Sequence, residues 1–203
     1  MNKSFYLLIA VTFVSFLTFI SCEETKEVDT SISWRNENQK FIDSIATVAR
    51  TNADGKWKVM KAWNLSPDVA LGMTNLSYDV QQYVYAKVLK EGTGAGPVLF
   101  TDTAYVRYQG RYYNGKIFDS TYPTSEIDPD LSVVVPFALN TSGLRVGFST
   151  ALQHMNVGDR WEVYIPWMLG YGASDSESIP GYSDLIFDID LVKIVDVNGK
   201  ERK

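Results

Sequence analysis

From Tyr83 to Val195 the chain is written in short runs whose side chains alternate between apolar and polar, a period of two that suits half-buried β-strands and not helices. The runs are YVYAKVLKEG (83–92), TAYVRYQGRY (103–112), KIFDS (116–120), SVVVPFAL (132–139), RWEVYIP (160–166) and DLIFDIDLVKIV (184–195). Turn residues separate them: the Gly-rich GTGAG at 92–96, Asn114-Gly115 between two runs, and Asn156-Val157-Gly158-Asp159 before RWEVYIP. One stretch, about Leu144 to Met155, reads as a short helix. The sum is an α+β arrangement, a small antiparallel sheet with one helix lying across it.

The N-terminal part is organised differently. Lys3 precedes an apolar run, Phe5 to Ile20, of about sixteen residues, short for a membrane span of roughly 20 but suited to the core of a signal peptide. Ser21-Cys22 follows at once and resembles a bacterial lipobox, except that Phe19 stands where Leu is usual. Residues 1–21 are therefore expected to be a lipoprotein signal peptide, with Cys22 the site of lipid attachment and the protein extracytoplasmic, anchored to a bacterial membrane on its periplasmic side or at the cell surface. Cys22 is the only cysteine, so no disulfide within the chain is available and stability must come from the core. Residues 22–31 read as a charged tether.

Trp34, Phe41, Ile45, Val48 and Ala49 then recur at helical spacing, with Ser33 as N-cap and Asp54-Gly55 as stop, inside an N-terminal helical extension over 32–82. That apolar stripe needs a cover. The neighbouring domain is one candidate; a homodimer through the helix is the other. Trp57, Val59 and Met60 fit either a short strand or a continuation of the helix, and the stretch from Trp63 to Tyr78, with Pro67 and Gly72, reads mostly as loop.

Charge and composition exclude several kinds of function. A formal net charge of −5 offers no basic face for phosphates, so no nucleic-acid partner is expected. There is one histidine, no metal-ligand cluster and no phosphate-cradling glycine motif, so neither metal nor cofactor is expected. His154 reads as a surface residue. Aromatic side chains are instead plentiful in the second half, where Tyr108, Phe118, Phe148, Tyr171 and Phe187 suit the binding of an apolar ring better than nucleophilic attack.

Residues 83–203 resemble the FKBP family of peptidyl-prolyl cis-trans isomerases, most clearly up to about 195. The resemblance rests on an ordered series: Val106-Arg107-Tyr108, Gly110, Asn114-Gly115, Phe118-Asp119-Ser120, Phe137-Ala138-Leu139, Gly147-Phe148, Ala151-Leu152, Met155, Val157-Gly158, Ile165-Pro166, Tyr171-Gly172-Ala173, Ile179-Pro180 and Leu185 to Leu191. It implies a five-to-six-stranded antiparallel sheet wrapped around a short helix, with an apolar pocket between them.

The resemblance also implies roles for particular residues. Tyr108 and Phe118 become pocket walls, Asp119 a polar group at the rim that accepts a hydrogen bond from a neighbouring hydroxyl, and Phe148 the floor, where the family usually has Trp. Tyr171 becomes a hydroxyl donor to substrate and Phe187 the far wall. Phe137, Leu144, Arg145 and Ile179 complete the substrate-binding set, Leu144 and Arg145 through their backbone and Ile179 as part of a lid loop. Val135 stands where an aromatic wall is common, which predicts a wider pocket on that side, and Arg145 brings a cation to the mouth. Two loops, 121–130 and 174–178, carry acidic residues including Glu126, Asp128, Asp130, Asp175 and Glu177. The implied function is isomerisation of X–Pro bonds in unfolded or peptide substrates during the folding of exported proteins, a chaperone-like task. The alternative is a docking module with the same fold and no catalysis.

Overall fold

The computed structural model describes residues 24–65, 79–140, 143–176 and 178–203. The expected signal peptide over 1–21, Cys22, most of the loop expected up to Tyr78, and Glu177 lie outside these residues. The chain divides into two compact units, Met1–Asn36 and Glu37–Lys203.

Helix α1 runs Glu24–Thr51 and so begins within the stretch expected to be a tether; glutamate and lysine there are good helix formers. It stops three residues before the expected Asp54-Gly55. Asn52 takes a left-handed conformation, φ 46°, and its side-chain oxygen accepts the backbone N–H of Trp57 at 2.9 Å. The chain then enters β1 (Trp57–Lys61), which settles the strand-or-helix choice at Trp57, Val59 and Met60. The remaining elements are β2 (Tyr83–Lys90), β3 (Thr103–Arg111), β4 (Ile117–Ser120), β5 (Val135–Ala138), α2 (Val146–Leu152), β6 (Arg160–Ile165), β7 (Leu185–Val195) and β8 (Glu201–Arg202).

All pairings are antiparallel, in the order β1-β2-β6-β7-β3-β4, with β5 on β3 and β8 on β7. The sheet therefore has eight strands rather than five or six, and the helical extension expected over 32–82 contributes one of them. Only Met60 of the five residues in β1 is buried, so its sequence shows no alternation from which a strand could be read.

Strand alternation gives the sheet two different faces. On the inner face Phe187 meets Phe148 of α2, and Ile189 and Leu191 follow at the same parity, both fully buried. On the outer face α1 lays Ile42, Ala46 and Ala49 against Tyr85, Tyr164 and Ile186, with Phe41, Ile45 and Trp57 at the margin. Trp57 stacks on Tyr164 with ring centroids 5.6 Å apart. Of the expected stripe, Phe41, Ile45 and Ala49 are thus covered by the sheet of their own domain, while Val48 is exposed. Beyond the helix the outer face is charged, with Arg107–Asp190 at 2.9 Å, Arg111–Glu162 at 2.6 Å and Arg160–Asp188 at 2.8 Å.

A buried polar joint fixes α1 beside the inner elements. Asn38 accepts the backbone N–H of Asp184 at 2.8 Å, and Asp184 Oδ1 accepts the N–H of Trp167 at 2.9 Å. The other Asp184 oxygen is buried without a partner among the described residues. Burial, with a smaller contribution from the nearby Asp43 carboxylate, pushes the Asp184 carboxyl up to about 8. The folded chain thus keeps a proton that the unfolded chain releases near pH 4, so this group's contribution to stability is full below about pH 4 and falls as pH rises toward 8. Asp184→Asn should remove that fall, so that its urea midpoint moves less than the parent's between about pH 5 and pH 8. Ile42→Ala should cost about 2–4 kcal/mol in the same denaturation measurement, because its side chain is wholly enclosed.

Candidate functional site

The site forms where α2 crosses the inner face of the sheet. Arg145, the N-cap of α2, is extended at φ −67° and ψ 143°, so the helix starts abruptly beside the strands. Gly147 is required there because a Cβ would run into the side chain of Ile165 on β6, and its absence lets the helix backbone lie close to the sheet. Ser149 and Thr150 return their hydroxyls to carbonyls one turn back, which keeps these polar groups satisfied while buried.

Between the start of α2 and strands β3, β5 and β7 lies a pocket of about 100 Å³. It is walled by Tyr108, Phe137, Phe148, Ile165, Leu185 and Phe187, with Gly143, Leu144, Arg145, Asp119 and Tyr171 completing the lining. Phe148 stands edge-on to Phe187 at 5.1 Å and to Tyr108 at 5.9 Å, and Phe137 lies 5.3 Å from Phe148. Edge-to-face contacts of this kind hold rings in fixed orientations. The space exceeds that of one or two waters and is bounded mainly by carbon.

Polar groups converge at the mouth. The Tyr108 hydroxyl donates to Asp119 Oδ2 at 2.6 Å, the bond expected for Asp119. Thr121 holds the Tyr108 backbone in place, its hydroxyl accepting the Tyr108 N–H at 2.9 Å and its own N–H reaching the Tyr108 carbonyl at 2.9 Å. Burial first, and then the bond to Asp119, push the Tyr108 hydroxyl well above the usual phenol range. The Arg145 guanidinium sits over the Tyr171 ring, 4.4 Å from its centroid, and fixes a cation at the entrance.

The geometry brings together Tyr108, Asp119, Phe137, Leu144, Arg145, Phe148, Tyr171 and Phe187. It sets three expected residues apart from the wall. Phe118 lies behind it, edge-on to Phe187 at 5.5 Å and 4.9 Å from Tyr112, in space that Gly110 opens by lacking a side chain. Val135 does not line the cavity. Phe137, two residues on along the same strand, lines it instead. Ile179 is buried inside its loop, which Tyr112 fastens by donating its hydroxyl to the Ser178 carbonyl at 3.1 Å. Ile165, Leu185 and Gly143 join the lining unforeseen, since an apolar residue on a core strand looks the same in sequence whether it faces a cavity or another side chain. His154 is exposed, with its ring nitrogen 2.9 Å from the Thr150 carbonyl.

The fold and site together define a ring-lined pocket held between a short helix and an antiparallel sheet. Residues 98–192 match the family described as FKBP-type peptidyl-prolyl cis-trans isomerase. Among curated proteins, the macrophage infectivity potentiator of Trypanosoma cruzi is 34% identical over 115 residues, covering 56% of this chain and 54% of that protein. The FKBP-type 22 kDa peptidyl-prolyl cis-trans isomerase of Escherichia coli K12 is 34% identical over 110 residues, covering 54% and 48%. The chain thus spans about half the length of the curated relatives it matches. Among solved structures, a peptidyl-prolyl cis-trans isomerase from Pseudomonas syringae pv. tomato DC3000 superimposes with a TM-score of 0.52 at 25% identity, covering 77% of this chain and 94% of that one.

Asp119→Asn should lower the pH at which Tyr108 ionises, because a charged acceptor and its repulsion of the phenolate are both removed, while burial keeps it above the ordinary phenol range. The check is ultraviolet titration of the phenolate band, with a Tyr108→Phe chain subtracted to isolate this hydroxyl. An unchanged midpoint would show that the carboxylate does not govern it.

Proposed function

We propose that this protein is a peptidyl-prolyl cis-trans isomerase that accepts proline-containing segments of exported proteins. The observation that carries the reading is the box of Tyr108, Phe137, Phe148 and Phe187 around a cavity of proline-ring character, in a domain of isomerase family type. Rotation about a peptide bond meets a barrier of about 18–20 kcal/mol that comes from amide resonance. No bond breaks and no proton moves, so the site needs neither nucleophile nor metal. The planar amide separates charge more than the twisted one does. Enclosure by rings strips water from the planar form and so favours twisting.

In this reading Phe148 and Phe187 grip the proline ring, with Phe137 as the side wall and Phe118 holding Phe187 upright from behind. The Tyr171 hydroxyl and the Arg145 backbone N–H hold the flanking peptide in a turn. Val135 and Ile179 support the lining without touching the substrate. The Tyr108–Asp119 bond fixes the rim, and Asp119 takes no proton.

A second reading, a docking module without catalysis, has one observation in its favour: the Arg145 guanidinium rests on the Tyr171 ring at the entrance. An assay on a short X–Pro peptide coupled to a conformer-specific protease, using soluble chain lacking residues 1–22, separates the two. The isomerase reading expects acceleration over the uncatalysed exchange, a loss of about tenfold or more in kcat/KM for Phe187→Ala, and a smaller loss for Tyr171→Phe. A rate equal to the uncatalysed one would leave docking as the function.

The proposed address is extracytoplasmic, with Cys22 lipidated and the chain tethered to a membrane; the apolar run before Ser21-Cys22 supports it. No described helix is long and apolar enough to cross a membrane. Because Ile42, Ala46 and Ala49 are used within the domain, a homodimer through the helix would rest on the helix residues before Glu37 and on exposed Val48. Sedimentation of the soluble chain with and without residues 23–36 tests that assembly, and a monomer in both would end it.

A further inference from the structure

A second apolar surface is formed by Trp63, outside the segment matched by the family, together with Leu99 and Phe100 at the start of that segment. Trp63, which follows β1, and Phe100, at the turn before β3, pack with ring centroids 5.3 Å apart, yet each remains 45% exposed, and Leu99 beside them is 52% exposed. Single exposed apolar residues are ordinary on protein surfaces, but a cluster that is both bare and immobilised is a mark of binding surfaces. This cluster is immobilised from both sides. The Trp63 indole N–H donates to the Ser149 hydroxyl at 2.8 Å, and its backbone N–H to the Thr150 hydroxyl at 3.3 Å. Across from it, Asp102 accepts the Leu99 N–H at 2.9 Å and is itself gripped by Arg202 at 2.6 Å, so the turn that carries Leu99 and Phe100 is tied down. The polar ends of these residues are spent inward and their carbon faces are left outward.

The surface connects to the pocket through α2. Ser149, which holds Trp63, follows Phe148 of the pocket and sits one turn after Arg145 at its mouth, and the Ser149 hydroxyl also reaches the Arg145 carbonyl at 3.3 Å. One helical turn is about 5.4 Å, and an extended peptide advances about 3.3 Å per residue. Laid along this turn of α2, a chain whose proline enters the pocket would bring a residue two or more positions away toward the Trp63–Phe100 pair.

We propose that Trp63, Phe100 and Leu99 form an accessory subsite that takes an apolar or aromatic side chain a few residues from the proline on the same unfolded client. The inference rests on the isomerase reading and deepens it: the preferred substrate is a proline flanked at short range by large apolar residues, the composition of segments that are buried once a protein has folded.

The test compares two synthetic nine-residue peptides that share one X–Pro bond, one with Leu or Trp placed two to four residues from the proline and one with Ser at those positions, together with a tetrapeptide too short to reach the surface. The soluble chain should process the apolar peptide about three- to tenfold more efficiently in kcat/KM than the serine peptide. The double variant Leu99→Ser, Phe100→Ser should lose that preference while keeping the tetrapeptide rate, and it leaves both Trp63 hydrogen bonds in place. An unchanged urea midpoint would verify that the variant is folded. Equal rates on both long peptides, or a preference that survives in the variant, would overturn the subsite. If no peptide is isomerised the catalytic reading fails separately, and fluorescence anisotropy with the labelled apolar peptide decides the subsite: binding weakened by the double variant supports it, and binding unaffected or absent overturns it. A chain that self-associates until the double variant makes it monomeric would also overturn it, by assigning the surface to a second copy.

Discussion

The close seating of α2 on β6 is the contact from which the rest of the site follows. Gly147 allows the helix backbone down onto Ile165, and only at that depth does the next residue, Phe148, reach Phe187 at 5.1 Å and Phe137 at 5.3 Å. A methyl group at position 147 would lift the helix and separate the rings. The same contact sets the width of the pocket, because Arg145 and Leu144 at the mouth are carried by the start of that helix. A second glycine performs the matching service on the opposite wall, where Gly110 leaves room for Phe118 to brace Phe187.

The outer face of the sheet supports this arrangement from behind. The core under α1 uses Ile186, and the next residue, Phe187, points the other way into the pocket, so one strand carries both packing layers. Asp184 links them more directly: its backbone N–H is held by Asn38 of α1, and its carboxyl holds the turn that leads from Trp167 toward Tyr171. Burial of a carboxyl at this joint is tolerated by keeping its proton, so the joint weakens as pH rises from about 4 toward 8.

Much of this was legible in the sequence because it rests on local rules. Asn114-Gly115 marks the β3–β4 hairpin, where Gly115 takes φ 84°, and the alternation in DLIFDIDLVKIV gives β7 and its two faces. The ordered series of motifs named Tyr108, Asp119, Phe148, Tyr171 and Phe187, and all five line the pocket. What could not be read depends on distance through space. β1 is recognisable as a strand only because β2 pairs with it, and Ile165 and Leu185 line the cavity because the folded chain brings them beside the start of α2. Val135 and Phe137 share a face of β5, and no periodicity records which of them reaches the cavity. The Trp63–Phe100 pair joins residues 37 positions apart and has no signature in either segment.

The central claim, that a proline ring enters the space between Phe148 and Phe187, is tested most directly by nuclear magnetic resonance of the soluble chain with an isotopically labelled X–Pro peptide. The account predicts intermolecular contacts from the proline ring protons to Phe148, Phe187 and Tyr108, with exchange between the cis and trans signals accelerated in the same sample. Proline contacts that fall elsewhere on the surface, with these rings unperturbed, would contradict it.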